Sequence, residues 1–275
     1  MNISLDLRIS FCLEPIELPV FNPVALDLLQ LLNDPSTEID NVVRTINEDQ
    51  SLAVQVLKMS NSPAYMGRST CQTVRESALR LGTRQISNLA MAASQASLHT
   101  SINPVVNDVM QDLWLHSHAC AVGCWSLALR TGHQALADQA YMAGLLHDIG
   151  KLYLLKALER ISLEKNSGVV LERDMLLDVF TEMHVEAGCR LMDYWNIPDI
   201  YRAIVAEHHS ENFDKNNILL AIVRLVNVNS RNFNLSLNPA MNRVEDVVPE
   251  VAALKLDESY LDKLQEVMAS SSSCT

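Results

Sequence analysis

The residues of this chain best suited to chemistry are its histidines, and five of the eight stand where an ion could use them. Asp112 and His116, in "DLWLHS", are i and i+4, so a helix projects both from one face and lets them share an ion. His147 and Asp148 are adjacent in "LLHDIGK", near an expected helix end, where Gly150 is expected to let the chain turn and both side chains to converge. His184 is expected to open the helix "HVEAGCRLMDYW", and His208 and His209 to end the helix that follows "NIP". Imidazole with carboxylate suits a divalent Fe, Mn or Zn ion. A mixed His/Asp set large enough for two ions is the arrangement used for phosphoester hydrolysis. A single histidine beside an apolar face is ordinarily a satisfied core residue. One i,i+4 pair and two adjacent pairs, all at expected helix ends, favour the metal reading over that one. His99, His118 and His133 stand outside the pattern. Cys120 and Cys124 continue the His116 stripe and offer soft ligands, although small residues packing a helix interface is the stronger reading of them.

Helices must position these groups. Apolar residues recur with a period near 3.6, convincing period-2 alternation is absent, and an all-α fold is expected. Ile39, Val42, Val43 and Ile46 form one stripe, with Ser36 or Thr37 placed to cap it. Asp49 is placed to cap the next helix, which the Asn61-Ser62-Pro63 turn stops. Thr73 and Glu76 have capping-box spacing, Gly82 suits the end of that helix, and Thr83 starts another. The segment 101–108, "SINPVVND", reads as a hinge into longer, more apolar helices, expected near 109–130, 138–147, 151–163, 171–181, 183–195, 199–209, 217–230 and 257–269. The expected division is an N-terminal helical subdomain at 1–107 and a second helical subdomain at 108–275.

Bulk properties narrow the function. The chain has 275 residues, 48% hydrophobic and 20% charged, enough to bury a sizeable core. Its net charge of −12, with no Lys/Arg run, repels phosphate backbones and argues against nucleic-acid binding. No apolar stretch approaches the ~20 residues of a spanning helix, and "MNISLDLRIS" lacks the pattern of a secretory signal. A cytoplasmic protein without a membrane partner is therefore expected. The six cysteines form no CxxC pair, so reduced core thiols are expected. The "SSSSC" tail is the only low-complexity piece and is expected to fray.

With "LWLHS" upstream, "LLHDIGK" resembles the HD superfamily of metal-dependent phosphohydrolases. The front half is more specific. Leu18-Pro19, "LLNDP", Asp49 with Leu52, Asn61-Ser62 and "ALRLG", and later "HVEAGCRLMDYWNIP" and "AEHHS", resemble the HDOD domain, a bacterial signalling module related to the HD and HD-GYP families. The resemblance covers roughly residues 14–230. It implies an N-terminal helical layer packed on an HD-like helical core, in a family mostly tied to signal transduction and regulation, many of whose members are not enzymes. It further implies metal ligands at Asp112 (glutamate in the catalytic relatives), His116, His147, Asp148, His184, His208 and His209. Lys151 matches the lysine of the relatives' "HDIGK", where it would contact a phosphate or donate a proton.

Two departures bear on activity. The late aspartate of the superfamily is matched by Asn227 in "IVRLVNVNS", a weaker ligand, and the lip that gives HD-GYP its name is replaced by "SENFDKNN". Losing one carboxylate weakens a second ion most. The expected function is a non-catalytic regulatory module that keeps a metal pocket and acts on other signalling proteins, with a homodimer or a nucleotide second messenger among its expected partners. The alternative is a phosphohydrolase acting on a cyclic dinucleotide or another nucleotide, with Asp148 bridging two ions and Lys151 steadying the developing charge.

Overall fold

The computed structural model describes residues 23–32, 37–65, 67–164, 168–210, 213–233, 235, 237, 248–257 and 259–271. Every regular element among them is helical. Ser36, Cys12, Cys274 and the serine run at 271–273, apart from its first residue, lie outside the described residues.

The N-terminal layer comprises α1 (Pro23–Leu32), α2 (Ile39–Asn47), α3 (Gln50–Ser60), α4 (Val74–Leu81) and α5 (Thr83–Leu98). Local chemistry sets most of its boundaries. Asp49 caps α3 by accepting from the Leu52 amide at 3.0 Å. Thr73 caps α4 by accepting from the Glu76 amide at 3.1 Å, while Glu76 reaches back to the Gln72 amide at 2.7 Å. Gly82, at φ 86, separates α4 from α5 in a conformation that other residues rarely adopt. The start of α2 departs from expectation. Its N-cap is Glu38, which makes no side-chain cap bond, and Thr37 turns away to donate its hydroxyl to the Leu31 carbonyl at 2.6 Å.

The second set begins with α6 (Pro104–Arg130). Asn103 caps it through the Val105 and Val106 amides at 3.0 and 3.3 Å, and Pro104 fills the first position, where no amide is needed. Position 107–108, expected to divide two subdomains, therefore lies in the first turns of α6, and the chain turns at residues 99–103 instead. Then come α7 (Ala137–Leu146), α8 (Ile149–Leu163), α9 (Arg173–Tyr194), α10 (Asp199–Glu207), α11 (Ile218–Asn232), α12 (Val248–Ala253) and α13 (Tyr260–Ser271). The two helices expected at 171–181 and 183–195 are one. Nothing between them is Gly or Pro, and polar Thr181 and Glu182 merely mark the solvent face of a continuous turn.

One continuous apolar core joins the layer to the rest, with Ile86, Leu89, Met110, Tyr141 and Leu146 almost fully buried. Burying each such side chain contributes about 1.5–3 kcal/mol. The packing of α8 on α9 sets the position of the site. A Cβ added to Gly150 would lie 1.9 Å from the His184 carbonyl oxygen and 2.6 Å from the Gly188 amide. Gly150 sits inside α8 and turns nothing, so the expected bend is corrected: the glycine is there to let two backbones touch. Gly144 does the same for α7 on α6, where a Cβ would come within 2.7 Å of the Cys120 carbonyl and 2.9 Å of Cys124 Sγ. Cys120 and Cys124 thus pack a helix interface.

Candidate metal centre

Five elements bring side chains to one buried point. His116 comes from the middle of α6; His147 caps the end of α7, and Asp148 directly precedes α8. His184 lies mid-helix in α9 rather than opening a helix, and His208 and His209 follow the end of α10. Asp148 is the hub. Its Oδ2 lies 3.2 Å from His116 Nε2, 3.4 Å from His147 Nε2 and 2.5 Å from Lys151 Nζ. Its Oδ1 lies 3.6 Å from His184 Nε2 and 3.5 Å from His208 Nε2.

Each ring is oriented from behind. A ring nitrogen facing a carbonyl must carry the proton, and this fixes the tautomer. His147 Nδ1 donates to the Gly144 carbonyl at 2.8 Å, His184 Nδ1 to Phe180 at 2.5 Å and His208 Nδ1 to Val205 at 2.9 Å, all one turn back along the chain. His116 Nδ1 donates to the Leu235 carbonyl at 2.9 Å, with the Ser230 hydroxyl at 3.3 Å. In the neutral form of each ring Nε2 is therefore the bare nitrogen, and all four Nε2 atoms are aimed inward. They meet in pairs, His116 to His147 at 3.3 Å and His184 to His208 at 3.4 Å. Two acceptors at that distance repel unless a cation or a proton stands between them.

Protons are disfavoured there. Burial lowers the pKa of His116 and His208 and takes that of His184 down to about 3. Asp148 stays ionised: burial opposes its charge, but the Lys151 ammonium, 2.5 Å away, holds its carboxyl well below the usual range. Asp148 Oδ1 is buried and accepts no hydrogen bond among the described residues. Imidazoles kept neutral by burial at His116, His184 and His208, beside an ionised carboxylate with an unused oxygen, fit divalent cations. The ligand atoms form two groups, His116, Cys120 and His147 on one side and Asp148, His184, His208 and His209 on the other. Cys120 Sγ lies 3.9 Å from both His116 nitrogens, and burial pushes its thiol pKa up, so it stays protonated. His209 is exposed, its ring 4.1 Å from that of His208, and marks the open side of the centre with Lys151.

Asp112 does not join either group. Its carboxylate is half-exposed and accepts from Arg173 Nη2 at 2.6 Å, so the shared ion expected for Asp112 and His116 gives way to an ion pair with α9. Asn227 is buried in α11, and its carbonyl accepts from the Ser230 hydroxyl at 2.7 Å. Sequence reasoning overlooked Arg224. Its Nη1 donates to the His208 and Ser210 carbonyls at 3.1 and 2.9 Å, clamping the end of α10 that carries His208. Its Nε pairs with buried Glu250 at 2.6 Å, and its guanidinium lies 4.1 Å over the Phe213 ring. The signal was present: one cation inside the apolar run "ILLAIVRLV" has to find a partner.

Fold and site together define an all-helical protein built around an HD-type histidine–aspartate pocket. Residues 18–211 match the HDOD domain, and the chain belongs to that family. It is 25% identical over 201 residues to an uncharacterised protein of Treponema pallidum (strain Nichols), covering 70% of this chain but only 38% of that longer one. A solved structure from Shewanella amazonensis SB2B, assigned by name alone to the metal-dependent phosphohydrolases, superposes with a TM-score of 0.70 at 17% identity, over 97% of both chains. An HDOD domain protein of unknown function from Geobacter sulfurreducens gives 0.67 at 20% identity, over 96% of this chain and 98% of that one. At these identities the likeness is one of fold. Among the described residues no helix is long and apolar enough to cross a membrane.

Proposed function

We propose that this chain is a cytoplasmic signal-transduction module whose HD-type pocket holds divalent metal as a structural or sensory centre rather than a catalytic one. The observation that carries the metal is the convergence of four Nε2 atoms on Asp148, in pairs at 3.3 and 3.4 Å. The regulatory reading draws on closure of the site: His147, Asp148 and His208 are at most 1% exposed, which leaves little room for a phosphoester to reach them. The neutral Asn227 and the engagement of Asp112 by Arg173 remove two carboxylates from the set, which weakens a second ion most.

The contact between α5 and α7 offers the signal a route. Gln85, Asn88 and Gln95 lie buried on α5, where Asn88 Nδ2 donates to the Asp138 carbonyl at 3.2 Å. Neither Gln85 amide atom nor Gln95 Nε2 meets a partner among the described residues. The Asn88–Asp138 contact joins α5 to α7, the helix that ends at His147, so a change at the pocket can be passed to the layer and on to a protein partner or a second copy.

One observation favours hydrolysis. Lys151 lies 2.5 Å from Asp148 and is 16% exposed, within reach of a phosphate arriving past His209. A divalent ion in the pocket would supply Lewis-acid polarisation of such a phosphate, and Lys151 would hold its charge. Bound Fe, Mn and Zn should be measured on protein purified without chelator, followed by assay of a generic phosphodiester and cyclic dinucleotides with added Mn²⁺. Metal bound without turnover is the expected result. Turnover that His147→Ala with Asp148→Ala abolishes would overturn the regulatory reading, and protein without metal would overturn the pocket.

A further inference from the structure

A second cavity lies at the far end of α6. The last turns of α6, the segment that follows it, and residues 253–257, 259–260 and 263–264 line a cavity of about 390 Å³ that is open on one side, within the roughly 300–1,000 Å³ usual for small-molecule sites. Three cations line it, Arg130, Lys255 and Lys263, from three different parts of the chain. None of the three is in an ion pair among the described residues, although the chain as a whole carries −12. Arg130 alone could be read as a complement to the negative end of α6; Lys255 and Lys263 approach from the loop after α12 and from α13. The one carboxylate in the lining, Asp257, accepts at Oδ1 from the Ser259 amide at 2.9 Å and hydroxyl at 2.6 Å and interacts with Lys263, so it offsets one of the three cations and leaves a net positive lining.

The floor has a different character. Buried Leu254 and Leu264 form it, with Tyr260 beside them. A free inorganic ion would use the cations and leave this apolar wall facing water. A ligand with an anionic head and a flat or apolar body would use both. Thr131 donates its hydroxyl to the Leu127 carbonyl at 2.8 Å, and Ser126 Oγ accepts from Arg130 Nε at 3.3 Å, which leaves the outer nitrogens of the Arg130 guanidinium for an anion.

We propose that this cavity binds a small phosphorylated organic anion of mononucleotide size. The wall from residue 253 onwards lies beyond the residues that match the HDOD domain, the α6 side lies within them, and the lining shares no residue with the metal pocket. A ligand there would tie α13 to α6, the helix that carries His116.

Isothermal titration of the full chain with adenosine and guanosine 5′-monophosphates tests it, with inorganic phosphate and the unphosphorylated nucleosides as comparisons. Saturable binding of at least one monophosphate is expected, tighter than phosphate or nucleoside. Lys263→Gln, an exposed position, should weaken it several-fold, and Arg130→Ala with Lys263→Gln at least tenfold, with bound metal and circular dichroism unchanged. Absence of saturable monophosphate binding would overturn the assignment. So would binding that survives the double variant, or phosphate binding as tightly as the nucleotide. Binding lost in His208→Ala but kept in Arg130→Ala would overturn it by placing the phosphate at the metal pocket.

Discussion

Replacing Gly150 by alanine puts a methyl carbon 1.9 Å from the His184 carbonyl oxygen and 2.6 Å from the Gly188 amide nitrogen. Both are backbone atoms of α9, so no side-chain rotation relieves the overlap. To restore ordinary van der Waals contact, α8 and α9 must separate by about 1.5 Å. Overpacking costs about 1–3 kcal/mol where neighbours can yield, and backbone against backbone should reach the upper end, about 3 kcal/mol. For a chain of this size that lowers Tm by about 6–12 °C. The same displacement carries His184 Nε2 away from Asp148 Oδ1, now 3.6 Å apart. Misorienting one ligand typically weakens metal binding by about 10–100-fold. Since bound ligand stabilises in proportion to RT ln(1 + [L]/Kd), the gain in Tm on adding Mn²⁺ should shrink as well. Thermal melts in chelator and in added Mn²⁺, with metal content measured in parallel, read both effects. Gly132→Ala is the contrast: at φ +80 with nothing near its Cβ, it strains a turn but should leave the metal response intact. A Gly150→Ala protein that melts within about 2 °C of the parent and binds the same metal would refute the close-contact argument.

Arg224→Ala leaves Glu250 buried without its partner and frees the end of α10; a loss of about 3–5 kcal/mol is expected in urea unfolding, and a loss below about 1 kcal/mol would contradict the clamp. Pairing it with Glu250→Leu should recover much of that loss. His99, buried against Trp114, has its pKa lowered from 6.5 to about 4, mainly by burial. The unfolded chain therefore takes up this proton first, so the contribution is complete above pH 6.5 and fades as pH falls towards 4. The contribution is on the order of 3 kcal/mol. In chelator, His99→Gln should narrow the stability difference between neutral and acid solution, and an unchanged difference would count against it. Asn227→Asp, one turn before Ser230 on α11, should raise the amount of bound metal, and an unaltered metal-to-protein ratio would argue that this side chain lies off the centre.

Much of the fold was legible because it is written in local code. Asp49, Thr73 with Glu76, and Gly82 each act within a few residues of their own position, so spacing alone locates the helix ends they make. Thr37 failed for the complementary reason. Its hydroxyl had two acceptable partners, an amide ahead and the Leu31 carbonyl behind, and only the path of α1 decides between them. The division of α9 failed because a polar pair on a solvent face looks like a break when the burial of the opposite face is unknown. Gly150 was noticed for the wrong property. Glycine's freedom at positive φ and its lack of a Cβ read identically in a sequence, and only the approach of His184 and Gly188 tells them apart.

The centre itself divides along the same line. Three of its four ring tethers, to Gly144, Phe180 and Val205, run to carbonyls three or four residues back. Any histidine near the end of a turn can make such a bond, so once the helices are granted the tautomers nearly follow. The fourth tether, His116 to Leu235, spans 119 residues and has no sequence signature. Asp112 went astray for the same kind of reason. An i,i+4 pair guarantees a shared face, but the ion that Asp112 meets is the guanidinium of Arg173, delivered by α9 from 61 residues away. Spacing can nominate ligands; which of them remain free to bind is decided by the charges that tertiary packing brings beside them.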